Sequence, residues 1–453
     1  MSHDSDTTTV GRRTFVAGLA TAAGTGVFGG LAVGDAGGAA ADRPAVEWRQ
    51  RHRRDESVRQ FQSVIQTSDG GYALAGTGTP PSDGETATEQ VALLNAAADG
   101  TQQWAAYATD DTDTTDEISF SDLVETAAGD YVLVGYATNP PGDDGAGGKV
   151  AEAAKFTAGG EVDWVVRRDA FERDEDSDGS DAGFSDNALF LTALATTDGR
   201  VLAGGTFEGT AWLVSLETDG TVAWERQYEG FSVTELRARA DGFDAVVDGD
   251  ETAAGLRLDE TGGVRERVAL NLDYRATPHN QQFVCTSDGA YAYTGRDRDR
   301  ENMVLGTLDS GGDPRWRAEY DGPSKATDLA TELIETGDGG YALAGYMRVA
   351  SDSAFAPAVV RTDASGTEQW RRLFTESDAD TVADIVATAD GGYACLFGSG
   401  TNTLVKLTPA TGQGSQSPSE TPPATARDQP PQANASGKRP FGIEDDELGE
   451  CDI

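Results

Sequence analysis

The chain has 453 residues, 38% hydrophobic and 8% aromatic, enough for one large domain or two ordinary ones. Its 77 acidic residues against 35 basic ones give a formal net charge of −42, which excludes nucleic acid and anionic membrane as general partners. The apolar runs between the charges are regular and frequent. The acidity therefore reads as the surface of a folded protein adapted to molar salt, of the extreme halophilic, archaeal kind, rather than as a disordered chain. At about 1 M salt the screening length is about 3 Å, so repulsion among surface carboxylates costs little.

Residues 11–34, "GRRTFVAGLATAAGTGVFGGLAVG", place Arg12 and Arg13 before a long, mildly apolar, uncharged stretch, and an A-x-A site follows at Ala39 to Ala41. Residues 1–41 resemble a twin-arginine signal peptide, an address rather than part of the fold. The resemblance implies export of an already folded protein to the cell surface or beyond. An uncleaved membrane anchor is the alternative, since the stretch is long enough to span; only then would a membrane be a partner. Next comes "AVEWRQRH" (45–52), a lone strand carrying Trp48.

A repeat then begins. Aligned on the Asp-Gly turn, its copies are "TSDGGYALAG" (67–76), "AAGDYVLVG" (127–135), "TTDGRVLAGG" (196–205), "RADGFDAVVDG" (239–249), "TSDGAYAYTG" (286–295), "TGDGGYALAG" (336–345) and "TADGGYACLFG" (388–398). A second signal follows each copy: an apolar run, a Gly turn and then Trp, at Trp104, Trp164, Trp224, Trp316 and Trp370. One copy, "LRLDETGGVRER", has Arg267 where Trp is expected, and the last, "TLVKLTPATGQG", has none. Asp-Gly between short apolar runs is a strong hairpin signal, because Gly tolerates positive φ. Each unit thus reads as two β-hairpins. Four strands repeated seven times predict an all-β, seven-bladed β-propeller of four-stranded antiparallel blades over residues 42–408. Trp48 stands in for the missing last Trp, so its strand is expected to be the outermost of the last blade and to close the ring.

The repeat resembles the secreted DGGY-type propeller repeats of archaea and bacteria. Its second half is similar to the "L-D-x-x-G-x-x-x-W" segment of quinoprotein-like propellers. Thr67, Asp69 and Gly71 partly match the Asp-box of sialidase propellers, a structural turn, although Ala73 and Leu74 depart from it. A quinoprotein dehydrogenase would be expected to show eight blades and often an adjacent Cys pair, and seven units without such a pair put that activity in doubt.

In this architecture the Asp-Gly turns fall on one face. The long connections, including 79–90, 109–118, 138–148, 171–186 and 349–357, fall mostly on the other, where binding is expected. One of them, "DEDSDG" (174–179), matches D-x-D-x-D-G, so Asp174, Asp176 and Asp178 could ligate Ca²⁺. The match is incomplete: Ser185 stands where an EF-hand has Glu, and Ala182 where a shorter loop wants Asp. Chance matches and solvated, salt-adapted loops are the plainer alternative.

Catalytic sets are thin. The histidines are His3, His52 and His279, and no GxSxG, HExxH or P-loop occurs. Cys285 and Cys395 sit in apolar runs and read as small buried hydrophobes, while Cys451 lies in the tail. Residues 409–453 are a Pro-, Ser- and Gln-rich linker with an acidic end, "FGIEDDELGECDI", a docking peptide or plain disordered tail. The leading expectation is a monomeric, exported, non-catalytic binding or scaffold protein for an unidentified protein or glycan. The rivals are a propeller enzyme on glycans or small substrates, using rim or channel carboxylates, and a quinone- or metal-dependent oxidoreductase.

Overall fold

In the computed structural model, residues 43–52, 58–78, 90–108, 117–138, 149–168, 188–249, 252–272, 282–297, 301–324, 328–349, 355–398 and 402–410 are described. They belong to one unit, within Met1–Gln416, and a second unit, Ser417–Ile453, lies outside them. The expected signal peptide (1–41), His3, His279 and all but the first two residues of the tail also lie outside the described residues.

The described chain is built of β-strands, and short polar-turned hairpins dictate the architecture. Blade 1 is β2 (Val58–Gln66), β3 (Tyr72–Gly78), β4 (Gln90–Ala96) and β5 (Gln102–Ala108). Blade 2 is β6 (Glu117–Glu125), β7 (Tyr131–Thr138), β8 (Lys149–Phe156) and β9 (Val162–Arg168). Blade 3 is β10 (Ala188–Ala195), β11 (Val201–Phe207), β12 (Thr210–Leu216) and β13 (Val222–Tyr228). Blade 4 is β14 (Ser232–Arg239), β15 (Gly242–Gly249), β16 (Thr252–Leu258) and β17 (Val264–Leu270). Blade 5 is β18 (Gln282–Cys285), β19 (Tyr291–Arg296), β20 (Met303–Leu308) and β21 (Pro314–Tyr320). Blade 6 is β22 (Leu329–Glu335), β23 (Tyr341–Arg348), β24 (Phe355–Thr362) and β25 (Glu368–Leu373).

Blade 7 takes three strands from the end of the domain, β26 (Val382–Ala387), β27 (Tyr393–Phe397) and β28 (Thr403–Leu407). Its outermost strand is β1 (Val46–Arg51), paired antiparallel with β28. The seven four-stranded sheets form a seven-bladed β-propeller, and the strand carrying Trp48 closes it as expected.

The turn in blade 1 shows why the octapeptide recurs. Gly70 N–H donates to the Thr67 carbonyl at 2.9 Å, and Thr67 N–H to the Gly71 carbonyl at 3.0 Å. The Asp69 carboxylate accepts from the Thr67 hydroxyl and from Gly71 N–H, which satisfies donors the turn would leave unpaired. Beyond the turn, side chains alternate between the two neighbours of the blade. Tyr72 and Leu74 pack with blade 7 residues, and Ala73 and Ala75 pack with blade 2 residues. The octapeptide's last glycine, Gly76, lies against the irregular stretch of β2: a Cβ there would sit 2.0 Å from the Gln60 carbonyl oxygen.

The tryptophans join one blade to the next. Trp48 meets the Tyr72 ring edge-on at 5.6 Å, and Trp104–Tyr131, Trp316–Tyr341 and Trp370–Tyr393 repeat the contact. The indole of Trp48 also lies under the Gly turn of the third and fourth strands of blade 1. A Cβ on Gly100 would come within 2.4 Å of that ring, and Gly100 has φ of +76°.

Register corrects one expectation. Each outer-strand Trp pairs with one residue of the third strand: Trp164 with Lys155, Trp316 with Thr307, Trp370 with Arg361 and Trp48 with Lys406. In blade 4 the equivalent pair is Arg257 with Glu266, so Glu266, not Arg267, holds the Trp position. The sequence offset failed because the two-glycine turn was counted one residue long. An ion pair between Arg257 and Glu266 replaces the indole contact.

Candidate functional site

The two faces differ in chemistry. On the first, the Asp-Gly turns are short, and their aspartates are used within the turn or by a neighbouring cation. Arg361 is fully buried; its guanidinium reaches both oxygens of Asp338 (2.5 and 2.6 Å) and donates to the Tyr393 hydroxyl at 2.9 Å. Lys406 bonds Asp390 at 2.7 Å, and Lys155 lies 3.1 Å from Asp130. These carboxylates neutralise buried cations and are committed to the scaffold. The Arg200 and Thr196 hydrogen bonds hold the Asp198 carboxyl down at about 2.

The strand ends that the long connections join lie at the opposite face. The segments 53–57, 79–89, 109–116, 139–148, 169–187, 273–281 and 350–354 all join either the second strand of a blade to the third or the last strand to the next blade. Asp174, Asp176 and Asp178 fall in 169–187, outside the described residues. Among the described residues no group of three or more His, Cys, Asp or Glu is placed to hold a metal ion.

A feature missed in the sequence runs around the innermost strands. Ser63, Asp122, Thr192, Glu235, Gln282, Glu332 and Asp384 occupy one register level, one per blade. In six blades this residue follows a break in the strand register. Each stands four residues before the first residue of its Asp-Gly turn (Thr67, Thr126, Thr196, Arg239, Thr286, Thr336, Thr388), so the pattern was legible. Members of this belt bond from one blade to the next. Asp384 accepts from Ser63 Oγ (3.0 Å) and Val64 N–H (2.8 Å), and Asp122 accepts from Ala193 N–H (2.9 Å). An innermost strand has one edge without a partner strand, and these carboxylates satisfy N–H groups there.

Two buried groups near the loop-rich face have displaced titration. Burial pushes Asp328 up to about 6, although it accepts N–H bonds from Gly322 (2.7 Å) and Arg348 (2.9 Å). It is wholly inaccessible and clasps the connection between blades 5 and 6. His52, just after β1, is pushed down to about 4 by burial and so is neutral at pH 7. Its backbone N–H donates to the Asn402 carbonyl at 2.8 Å, which ties down the seam. Cys285 and Cys395 are buried free thiols, as their apolar contexts imply.

A shallow cleft of about 130 Å³ lies on this face between blades 6 and 7. Arg49, Arg51, Glu376, Ser377, Asp378, Phe397 and Thr403 line it. Arg49 pairs with Glu376.

No family model matches the chain, and no curated protein matches it. Solved structures similar to it include virginiamycin B lyase from Staphylococcus aureus, 11% identical, with a TM-score of 0.48, covering 80% of this chain and 98% of that one. The Dos1 propeller is 9% identical at a TM-score of 0.46, covering 81% of this chain and 95% of that one. NanB sialidase from Streptococcus pneumoniae is 12% identical at a TM-score of 0.42, covering 81% of this chain and 70% of that one. A lyase and a sialidase stand among them, so the likeness selects no activity. The seven-bladed fold rests on the strand pairing itself.

Proposed function

We propose that this chain is an exported binding or scaffold module that engages a protein or glycan through the face carrying its long connections. The observation that carries the reading is the asymmetry of the ring. One face is closed by short turns whose aspartates are consumed internally, while the other gathers the long, acidic connections on a rigid base. Export through the twin-arginine route suits a protein that folds before transport and uses neither buried cysteine in a disulfide. Within the longest connection, Asp174, Asp176 and Asp178 are the residues to hold Ca²⁺, which would brace that loop.

The test replaces segments 79–89 and 139–148 by the two-residue turn Glu208-Gly209 that this ring already uses between β11 and β12. The variant should keep its circular dichroism and lose retention at the cell surface. Undiminished retention would count against the reading.

A catalytic reading has one specific support: four of the seven belt residues are carboxylates, Asp122, Glu235, Glu332 and Asp384, at one level around the ring. Turnover of a glycan or small substrate by the purified protein in high salt, abolished by Glu332→Gln without loss of fold, would establish it over the binding reading.

A further inference from the structure

We propose that the cleft between blades 6 and 7 is an oxyanion site that takes a carboxylate group of the ligand, with Arg51 and Arg49 as its fork. The inference deepens the binding reading and rests on it.

Arg49, Arg51 and Arg372 gather at this cleft on an otherwise acidic chain. Arg49 and Arg51 alternate with Trp48 and Gln50 along β1 and so project from the opposite side of that strand, towards the blade 6 exit at 374–378. Behind them stands Arg372. Its guanidinium lies 5.3 Å from the Phe374 ring centre, donates to the Pro44 carbonyl at 2.7 Å, and has its Nε buried without a partner. Arg49 stacks over the same ring at 6.0 Å. Phe374 in turn packs edge-on against Phe397, which floors the cleft. Burial, then repulsion from Arg43 and later from Arg49, lowers the Arg372 pKa, a sign that the cations are crowded.

Crowding of like charge is costly unless something offsets it. Glu376 is committed to Arg49, and its pKa stays low despite burial through its hydrogen bonds and that arginine. Arg51 makes no ion pair with any described residue, and it is exposed at the cleft mouth. Ser377 accepts from Ala379 N–H at 3.1 Å, which leaves its hydroxyl proton to donate. A planar guanidinium matches a carboxylate bidentately, where a lysine would offer only a point charge, and Arg49 is held over the Phe374 ring. The cleft, about 130 Å³ and open at its mouth, has room for such a group. Asp378 at the rim opposes an anion and provides a control of opposite sign.

Binding is measured by titration calorimetry on the full chain in the salt that keeps it folded, with glucuronate, a short polyuronate and glucose as probes. Glucuronate should bind and glucose should not. Tighter binding of the polyuronate than of glucuronate would assign the carboxylate to an extended ligand, and equal binding to a free one. Arg51→Gln should weaken glucuronate about tenfold without moving the unfolding midpoint, because that side chain supports no ion pair. Arg51→Lys should recover only part of the loss, and Asp378→Asn should tighten binding. No glucuronate binding, equal binding of glucose, or affinity unchanged in Arg51→Gln would overturn the site. Surface retention of the loop-replaced protein is a separate readout, so loss of the anion site leaves the loop-face reading to stand or fall on its own.

Discussion

Replacing Trp48 by Ala probes the seam of the ring. The indole is partly buried, meets Tyr72 edge-on at 5.6 Å and lies beneath Gly100. Burial of on the order of 150 Å² of apolar surface contributes roughly 4 kcal/mol, and an edge-on aromatic pair adds about 1 kcal/mol. Partial collapse of the site and the indole's remaining exposure reduce the sum, so the loss should be about 3 kcal/mol. Trp104 makes the same contact with Tyr131 inside the ring, and Trp104→Ala serves as the control. Blades 1 and 2 are consecutive in the chain, whereas β1 is held to blade 7 by its ladder with β28 and a few side chains. Trp48→Ala should therefore release β1 before the body of the ring unfolds. Urea titration followed by circular dichroism, with hydrogen exchange of the β1 amides, distinguishes the two variants. A loss below about 1 kcal/mol, or β1 amides exchanging no faster than in Trp104→Ala, would refute the closure argument.

Other outcomes follow from the charged groups of the turns and of the interior. Asp69, Asp198, Asp288 and Asp390 all have lowered pKa values, so the stability they supply is present above about pH 4 and is lost as pH falls, for Asp198 towards about 2. Asp328 works in the other direction: its carboxyl titrates at about 6 in the fold, so stability gains as pH falls from 7 through 6. Buried His52, held neutral with its pKa down at about 4, loses stability over the same range, so the Asp328 gain is read as a difference: between pH 7 and 5 the urea midpoint of Asp328→Asn should fall relative to that of the parent protein, and parallel midpoints would be inconsistent with this assignment. Asp338→Asn should cost about 2 kcal/mol or more by stranding the buried Arg361, and adding Arg361→Met should recover much of it; equal stability of the single and double variants would contradict the pairing. Calorimetry with Ca²⁺ should show one site lost in Asp176→Ala, and no heat in the parent protein would remove Asp174, Asp176 and Asp178 from consideration.

The fold was legible because most repeats state it twice, once in an Asp-Gly turn and once in a Gly-turn-to-Trp segment. Even the closure could be read, since Trp48 precedes the repeats and the last unit lacks its Trp. The blade 4 substitution was misplaced by one residue, because spacing in the sequence does not reveal where a strand resumes its register after a two-glycine turn. The belt was present as a polar residue four positions before each turn, but its types vary from Ser to Glu, and only strand pairing shows that they share a level. The arginine cluster was harder still. Arg49 and Arg372 are 323 positions apart, and only the pairing of β1 into blade 7 brings them to one phenylalanine.

The division of the ring into a scaffold face and a binding face is tested most directly by masking each in turn. Cys285 and Cys395 are buried, so with Cys451→Ser a single introduced cysteine can carry a polyethylene glycol chain. One variant places it at Thr375 on the loop-rich face, and another at Ser310 in the Gly turn between β20 and β21 on the other face; both positions are exposed. Retention of the added protein by the surface of protein-depleted producer cells should be lost when Thr375→Cys is masked and kept when Ser310→Cys is masked. Equal retention of the two, or loss only with Ser310→Cys, would contradict the assignment of function to the loop-rich face.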